Sequence, residues 1–487
     1  AEGVLVVLGD AASAKEVVMG AQEIVERLEA EEEGDEDDNG GADKEPSAKA
    51  SLATQVARLM ALYARVVPRL NQRRPALDTL QSIAPDLEPL VYRAAARATA
   101  TESRALVVAA SGLAMSARAW AQAQTKAGDD ADALALARCT VLLASVLDAT
   151  LEACAGRVAC SRAQRAFEAR FPRLVVRSAV RSGWEAGEDA MSAAALGRTS
   201  ASLLSNPSIA ALILLAHASP PEPLTPAALT PLLPVLLSAL DIGIADEPLY
   251  LLLVALLPSP ASSHTPTSTG TGAELPPDLV LPLTPVLASL CSAHPDPPTR
   301  HLAFRLLSLA LRATPAPLRL QVLRDLTDPA EDAHPPQMRA AAVGLVKESV
   351  LAALAATEPG APAGSADAGV DVFASPALLG ALGAHVFRAH PPDLFVAEST
   401  PADAFMRSAE PARLAECLAL YYVLLRRDVQ NRTGIRDLDT IRNIEQTFVG
   451  PMRAAVARWL AALGDELHAV MPLAALQTNI ERVDAAV

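Results

Sequence analysis

Apolar residues recur at spacings of three and four along nearly the whole chain, which is the signature of helices that bury one face. In the stretch 298–313, Leu302, Leu306, Leu309 and Ala313 share a face. In 316–327 the inward positions are Leu318, Val322 and Leu326; in 335–356 they are Met338, Ala342, Leu345 and Val346, with Lys347 and Glu348 outward. The pattern predicts helices over 14–30, 51–68, 75–98, 101–125, 130–155, 160–181, 185–204, 207–218, 226–241, 246–257, 279–293, 298–313, 316–327, 335–356, 375–388, 410–427, 437–463 and 466–484. No segment longer than five residues alternates apolar and polar positions, so almost no strand is expected.

Helix starts are marked by a hydroxyl residue followed by Pro, at Thr225-Pro226, Thr230-Pro231 and Ser375-Pro376, with Ser205-Asn206-Pro207 as a variant. The hydroxyl can accept from free N–H groups, and Pro fits the first helical position. Three stretches break the pattern: acidic and Gly-rich 29–50, and Pro-, Ser-, Thr- or Gly-rich 258–278 and 357–370. None carries enough apolar surface to order itself, so they are expected to be disordered loops. Pro234-Val-Leu-Leu-Ser-Ala-Leu240 resembles Pro285-Val-Leu-Ala-Ser-Leu290. Short helices with short connections, each pair covering the next, predict an all-α fold: one extended α-solenoid over 1–487.

Composition fits that picture. Of 487 residues 51% are hydrophobic but only 3% aromatic, and a core of Leu, Ala and Val suits close helix packing. The chain opens on Ala1, so a trimmed or partial chain is expected. The net charge of −15 disfavours binding to nucleic-acid phosphates. Part of it sits in Glu29 and the run Glu31–Asp38, which reads as a solvated loop. Cys139, Cys154, Cys160, Cys291 and Cys417 are scattered and form no CxxC, so they read as small buried hydrophobes in a reducing compartment. The apolar runs Leu249–Leu257 and Ile209–Ala216 are about half the length a membrane span needs, and no transmembrane helix is expected. A soluble cytoplasmic or nuclear protein follows as the expectation.

No nucleotide-binding, zinc-protease or hydrolase motif appears, so no catalysis, cofactor, metal or small-molecule substrate is expected. The histidines are mostly isolated, and His385 and His390 are five apart, off the chelating spacing of four. Two clusters stand out. In the first, Tyr421, Tyr422, Arg426 and Arg427 end an apolar helix and lead into a polar turn containing Asn431, Thr433 and Gly434. Gly beyond a helix and Arg in its last turn are ordinary termination chemistry. Tyr and Arg are also favoured interface anchors, so the alternative is a partner-contact turn. In the second, Arg170, Arg173, Arg177 and Arg181 step by three and four, which on one helix gives a basic stripe. That stripe is either a solvated face or a site for an acidic partner.

Four segments resemble, in order, the YAP-binding / aberrant-lateral-root-formation / glomulin family. They are Ala14–Met19, His294-Pro-Asp-Pro-Pro-Thr-Arg-His-Leu-Ala-Phe-Arg-Leu-Leu307, Met338–Glu348 and Leu418–Ile435, with 294–435 the best match. The resemblance implies a HEAT/armadillo-like helical protein without catalytic activity that binds other proteins. In the YAP-binding branch it implies a role in oxidative-stress signalling through an AP-1-like transcription factor. In the glomulin branch it implies inhibition of cullin–RING ubiquitin ligases through the RING-box subunit, with the C-terminal helices as the contact. A HEAT-like scaffold or kinetochore-associated protein is the third reading.

Overall fold

A computed structural model describes residues 2–33, 50–70, 75–125, 129–158, 161–172, 198–218, 224–257, 274–329, 336–356, 371–396, 401–463 and 467–487. Among these every regular element is a helix and none is a strand. The chain divides into two compact units, Ala1–Ala255 and Leu256–Val487.

The first unit contains α1 (Glu2–Ala11), α2 (Ala14–Glu33), α3 (Leu52–Val66), α4 (Ala76–Gln81), α5 (Ala84–Ala96), α6 (Ala100–Gln124) and α7 (Asp130–Cys154). These are followed by α8 (Arg162–Arg170), α9 (Ser200–Ser205), α10 (Ile209–Ala216), α11 (Pro226–Leu229), α12 (Leu233–Asp241) and α13 (Asp246–Leu256). α6 is its centre, packed between α3 and α7, while α5 closes on α3 and α7. Leu106, Val107, Ala110, Leu113 and Ala117 form the buried face of α6. Thr99 caps that helix with a reciprocal box: its hydroxyl accepts from the Glu102 N–H, and Glu102 accepts from the Thr99 N–H at 2.8 Å. Glu102 also accepts from the Ser51 hydroxyl, and Ser51 caps α3. One carboxylate thus fastens two helix N-termini, whose positive ends favour its charge.

The second unit contains α14 (Pro277–Ala293), α15 (Pro297–Arg312), α16 (Ala316–Thr327), α17 (Pro336–Ala356), α18 (Ala377–Val386) and α19 (Ala402–Arg407). It continues with α20 (Glu410–Arg427), α21 (Leu438–Ile444), α22 (Gly450–Leu463) and α23 (Leu467–Asp484). Helices near in sequence pack together: α14 on α15, α16 on α17, α17 on α20, α20 on α23. Lys347 and Glu348 on α17 reach Glu416 at 2.7 Å and Arg312 at 3.1 Å, so the pair expected to point outward links α17 to α20 and α15. On α15 the buried face is wider than the periodicity predicts. It adds Ala303, Leu307, Ala310 and Leu311, while Leu309 is only half-buried.

Proline sets most of the departures from the expected helices. The 75–98 helix splits before Pro85, and 226–241 splits around Pro231. The 160–181 helix ends at Arg170 because Pro172 supplies no N–H and pushes Phe171 out of the helical region. The 437–463 helix is interrupted by one π-helical turn at Glu445–Val449. Gly450 closes that turn, where a Cβ would stand 2.8 Å from the Glu445 carbonyl oxygen. The caps at Thr225 and Ser375 are present, the latter with its hydroxyl accepting from Ala377 N–H at 3.3 Å. Thr230 instead lies in a turn, and α10 is capped by Ser208 rather than by the Ser205 group. α1 and α19 were not expected.

Of the expected loops, 34–49, 258–273 and 357–370 lie outside the described residues; Glu29–Glu33 is helical as the end of α2, and Pro277 and Asp278 already belong to α14. Cys139, Cys154 and Cys417 are buried and unpaired, and Cys160 lies outside the described residues. Burial pushes the thiols of Cys154 and Cys417 up to about 11 and Cys291 to about 12, so they stay protonated and weakly nucleophilic at neutral pH. Among the described residues one segment, Asp130–Arg157, is long and apolar enough to cross a membrane, which the short-run reading missed. It is α7 with its 3-10 extension, and Leu143, Val146, Leu147 and Leu151 bury one face of it.

The capping bonds hold the Glu102 carboxyl down from 4.5 to about 2, with the Ser51 hydroxyl first among the causes and the Thr99 donors next. A depressed carboxyl gives stability that is full above about pH 4.5 and lost as pH falls toward 2. Glu102→Gln is therefore expected to lower the urea midpoint at pH 6 and to lose that deficit progressively by pH 2. A deficit of the same size across that range would contradict the charge-based account.

Candidate protein-interaction site

The C-terminal end of α20 carries the first sequence cluster. Pro411 opens this helix, and Leu414, Leu418, Leu420, Leu424 and Leu425 bury it. Near its start Arg413 and Glu410 form a buried ion pair at 2.7 Å, and Arg413 also donates to the Arg388 carbonyl at 2.9 Å. Removing either partner leaves an uncompensated buried charge, which costs about 3–5 kcal/mol. The pair fixes how α20 meets the chain after α18.

Tyr421 is buried, its ring edge-on to Phe387 at 5.5 Å, and Phe387 meets Phe448 at 6.1 Å. Burial, and secondarily the Glu445 charge, raise the Tyr421 hydroxyl to about 12. Tyr421 is therefore a core residue, and its expected role as a surface anchor is corrected: its ring is spent on helix packing. Tyr422 is half-buried, while Arg426 and Arg427 are exposed on the last turn.

Beyond them the chain folds into a tight turn around one carboxylate. Asp428 is 1% exposed and accepts from the N–H groups of Arg432 and Thr433, both at 2.8 Å, and from the Thr433 hydroxyl at 2.6 Å. Its own N–H donates to the Leu424 carbonyl at 3.0 Å, closing the helix. The Arg436 guanidinium donates to the Leu425 carbonyl, one of the acceptors that a helix end leaves open. Asn431 has φ +53°; its amide donates to Asp437 at 2.7 Å and accepts from the Arg436 N–H at 2.8 Å. Gly434 has φ +77°, a region that side chains with a Cβ avoid.

Asn431 was expected to contact a partner. Its side-chain amide is instead engaged on both sides within the turn, so it holds the turn's shape. What the turn offers outward is Val429 and Leu438, exposed by 72% and 75%, at its two ends, with Arg426 and Arg427 exposed on the helical turn that precedes it. Exposed guanidinium groups on a rigid support are favoured interface anchors, and the two exposed aliphatic side chains add apolar area to the same segment. The sequence reading missed Val429 and Leu438, since single apolar residues in a polar stretch carry no periodic signal. It also missed Asp428 as the organiser, although the Asp428-to-Thr433 spacing was there to be read.

Of the second cluster only Arg170 falls among the described residues. Arg170 is exposed at the last position of α8. Arg173, Arg177 and Arg181 lie outside the described residues. Among the described residues no group of three or more His, Cys, Asp or Glu side chains is placed to hold a metal ion.

Asp428→Ala strands two backbone N–H groups and a hydroxyl, each costing about 1–3 kcal/mol when buried without a partner. A loss of about 3 kcal/mol in urea unfolding is expected, with Asp428→Asn losing less because one acceptor oxygen remains. A loss under about 0.5 kcal/mol for the Ala variant would show that the turn does not depend on this carboxylate.

A family model described as "Uncharacterised protein family, YAP/Alf4/glomulin" matches residues 235–484, just over half of the chain. The match begins within α12 and takes in α20, the Asp428 turn and all of α23. No curated protein matches the chain. The helices, the ordered sequence segments and this match agree: the chain belongs to the YAP/Alf4/glomulin family.

Proposed function

We propose that the chain is a non-catalytic, protein-binding regulator that presents the Asp428 turn as its contact surface. The observation that carries this reading is the exposure of Arg426, Arg427, Val429 and Leu438 along a turn whose Asp428 and Asn431 side chains are already paired internally. Such a surface needs little ordering on binding, which removes a main cost of association. The packing of consecutive helices, α14 on α15 and α16 on α17, supports a HEAT/armadillo-like array within this reading. The partner class is the one that family membership suggests: an AP-1-like transcription factor in oxidative-stress signalling, with the chain in the cytoplasm and also the nucleus.

A second reading is a glomulin-like inhibitor that binds the RING-box subunit of cullin–RING ligases. What favours it is position, since the turn and its flanking helices fall in the C-terminal region where that contact is expected. The two readings separate in one experiment. Calorimetry at physiological salt compares binding to an AP-1-like transcription factor and to a RING-box–cullin complex, using the full chain and an Arg426→Glu/Arg427→Glu variant. Binding to one of them, weakened about tenfold or more by the double reversal with an unchanged melting temperature, is expected. Binding that ignores the reversal would remove the turn from the contact surface, and binding to neither would remove both partners.

A further inference from the structure

The first unit has an apolar face that its own helices leave open. α6 is buried on the sides that meet α3 and α7, but a third side faces outward along its length. Ala105, Val108, Gly112, Met115 and Ala119 follow each other there at spacings of three and four. None carries charge, and Val108 and Met115 are 53% and 51% exposed. From Ala105 to Ala119 the row runs about 21 Å, at 1.5 Å per residue. It is flanked by two hollows. One of about 610 Å³ lies between α3 and α6, and one of about 480 Å³ lies between α6, α7 and α9. Exposed Val141 of α7 lines the second.

The charges around these hollows run against the rest of the chain. The charged residues that line them are Arg58, Arg65, Arg118, Arg198 and Asp148, in a protein of net charge −15. Arg198 pairs with Asp148 at 2.8 Å, and Arg65 has Asp10 at 3.4 Å. Among the described residues Arg58 and Arg118 have no carboxylate partner. An apolar floor about four turns long with a basic rim is complementary to a helix that is apolar on one side and acidic on its flanks. Gly112 and Ala105 let such a helix approach closely. The hollows are recessed between helices, which suits an inserted side chain better than a flat bilayer surface.

We propose that the face formed by α3, α6 and α7 docks an acidic amphipathic helix of a partner protein. This surface is separate from the Asp428 turn and does not rest on that reading. It gives the chain a second point of attachment, so that two partners, or two segments of one, can be held at once.

The probe is a synthetic 18-residue helical peptide with Leu at positions i, i+3, i+4 and i+7 and Glu on the flanks, followed by fluorescence anisotropy with the full chain. A twin peptide carries Lys in place of Glu. Two variants alter the face differently. Arg58→Glu/Arg118→Glu reverses the rim, and Gly112→Trp fills the floor at a position where a Cβ meets nothing within 4 Å. The acidic peptide is expected to bind at least tenfold more tightly than its twin. Each variant is expected to weaken it about tenfold with an unchanged melting temperature, and Arg426→Glu/Arg427→Glu is expected to leave it unaltered. No binding of the acidic peptide at 200 µM, equal binding of the twin, or indifference to both variants would overturn the proposal. So would self-association of the chain, or binding to phosphatidylserine vesicles, that the same variants abolish while peptide binding persists.

Discussion

A carboxylate shut away from water must be matched by donors, and the C-terminal region is arranged around that requirement at Asp428. Two backbone N–H groups and one hydroxyl converge on it. Satisfying them forces the chain after α20 to curl back, which places Arg436 over the last open carbonyls of the helix and Asn431 against Asp437. The exposed side chains of Val429 and Leu438 flank this network, while Arg426 and Arg427 stand on the last turn of α20 just before it. Stability and the proposed contact surface therefore share one cause. A change that relaxes the turn would scatter the contact surface even though it touches none of the contact residues.

The same division of labour recurs upstream. Glu102 serves the N-termini of α3 and α6 together, so the open face between them is held at its end by a polar clamp rather than by bulk. The core beneath is built of Ala, Leu and Val, with few aromatic wedges, and allows helices to lie close. Both candidate surfaces are thus apolar residues left over on helices or turns whose polar requirements are met elsewhere. The Glu410–Arg413 pair extends the logic to the interior, where the guanidinium also answers a carbonyl beyond α18.

Helix type and most helix positions were legible from the sequence, because a buried face imposes its period on every turn. Boundaries failed where one residue overrides the period. Pro172 ends α8 at Arg170, and a single π-helical turn at Glu445–Val449 divides the long C-terminal helix. Proline could have been read; the π turn could not, since one extra residue in a helical turn leaves no local residue signature. The family was legible from four ordered segments, and the match over 235–484 bears it out. The site was half legible. Arg426 and Arg427 are exposed as a contact requires, but Tyr421 is packed inside and Asn431 is bonded within the turn. Tyr side chains serve cores and interfaces equally well, and only the three-dimensional neighbours, here Phe387 and Phe448, tell them apart.

The central claim is that the turn is formed before any partner arrives. Amide hydrogen exchange on the free chain tests it directly at the two N–H groups that Asp428 accepts, those of Arg432 and Thr433. A preformed turn predicts that both exchange as slowly as the buried amides of α20. Exchange at the rate of an unstructured peptide, in a chain whose α20 amides stay protected, would mean that the surface does not exist until it is bound.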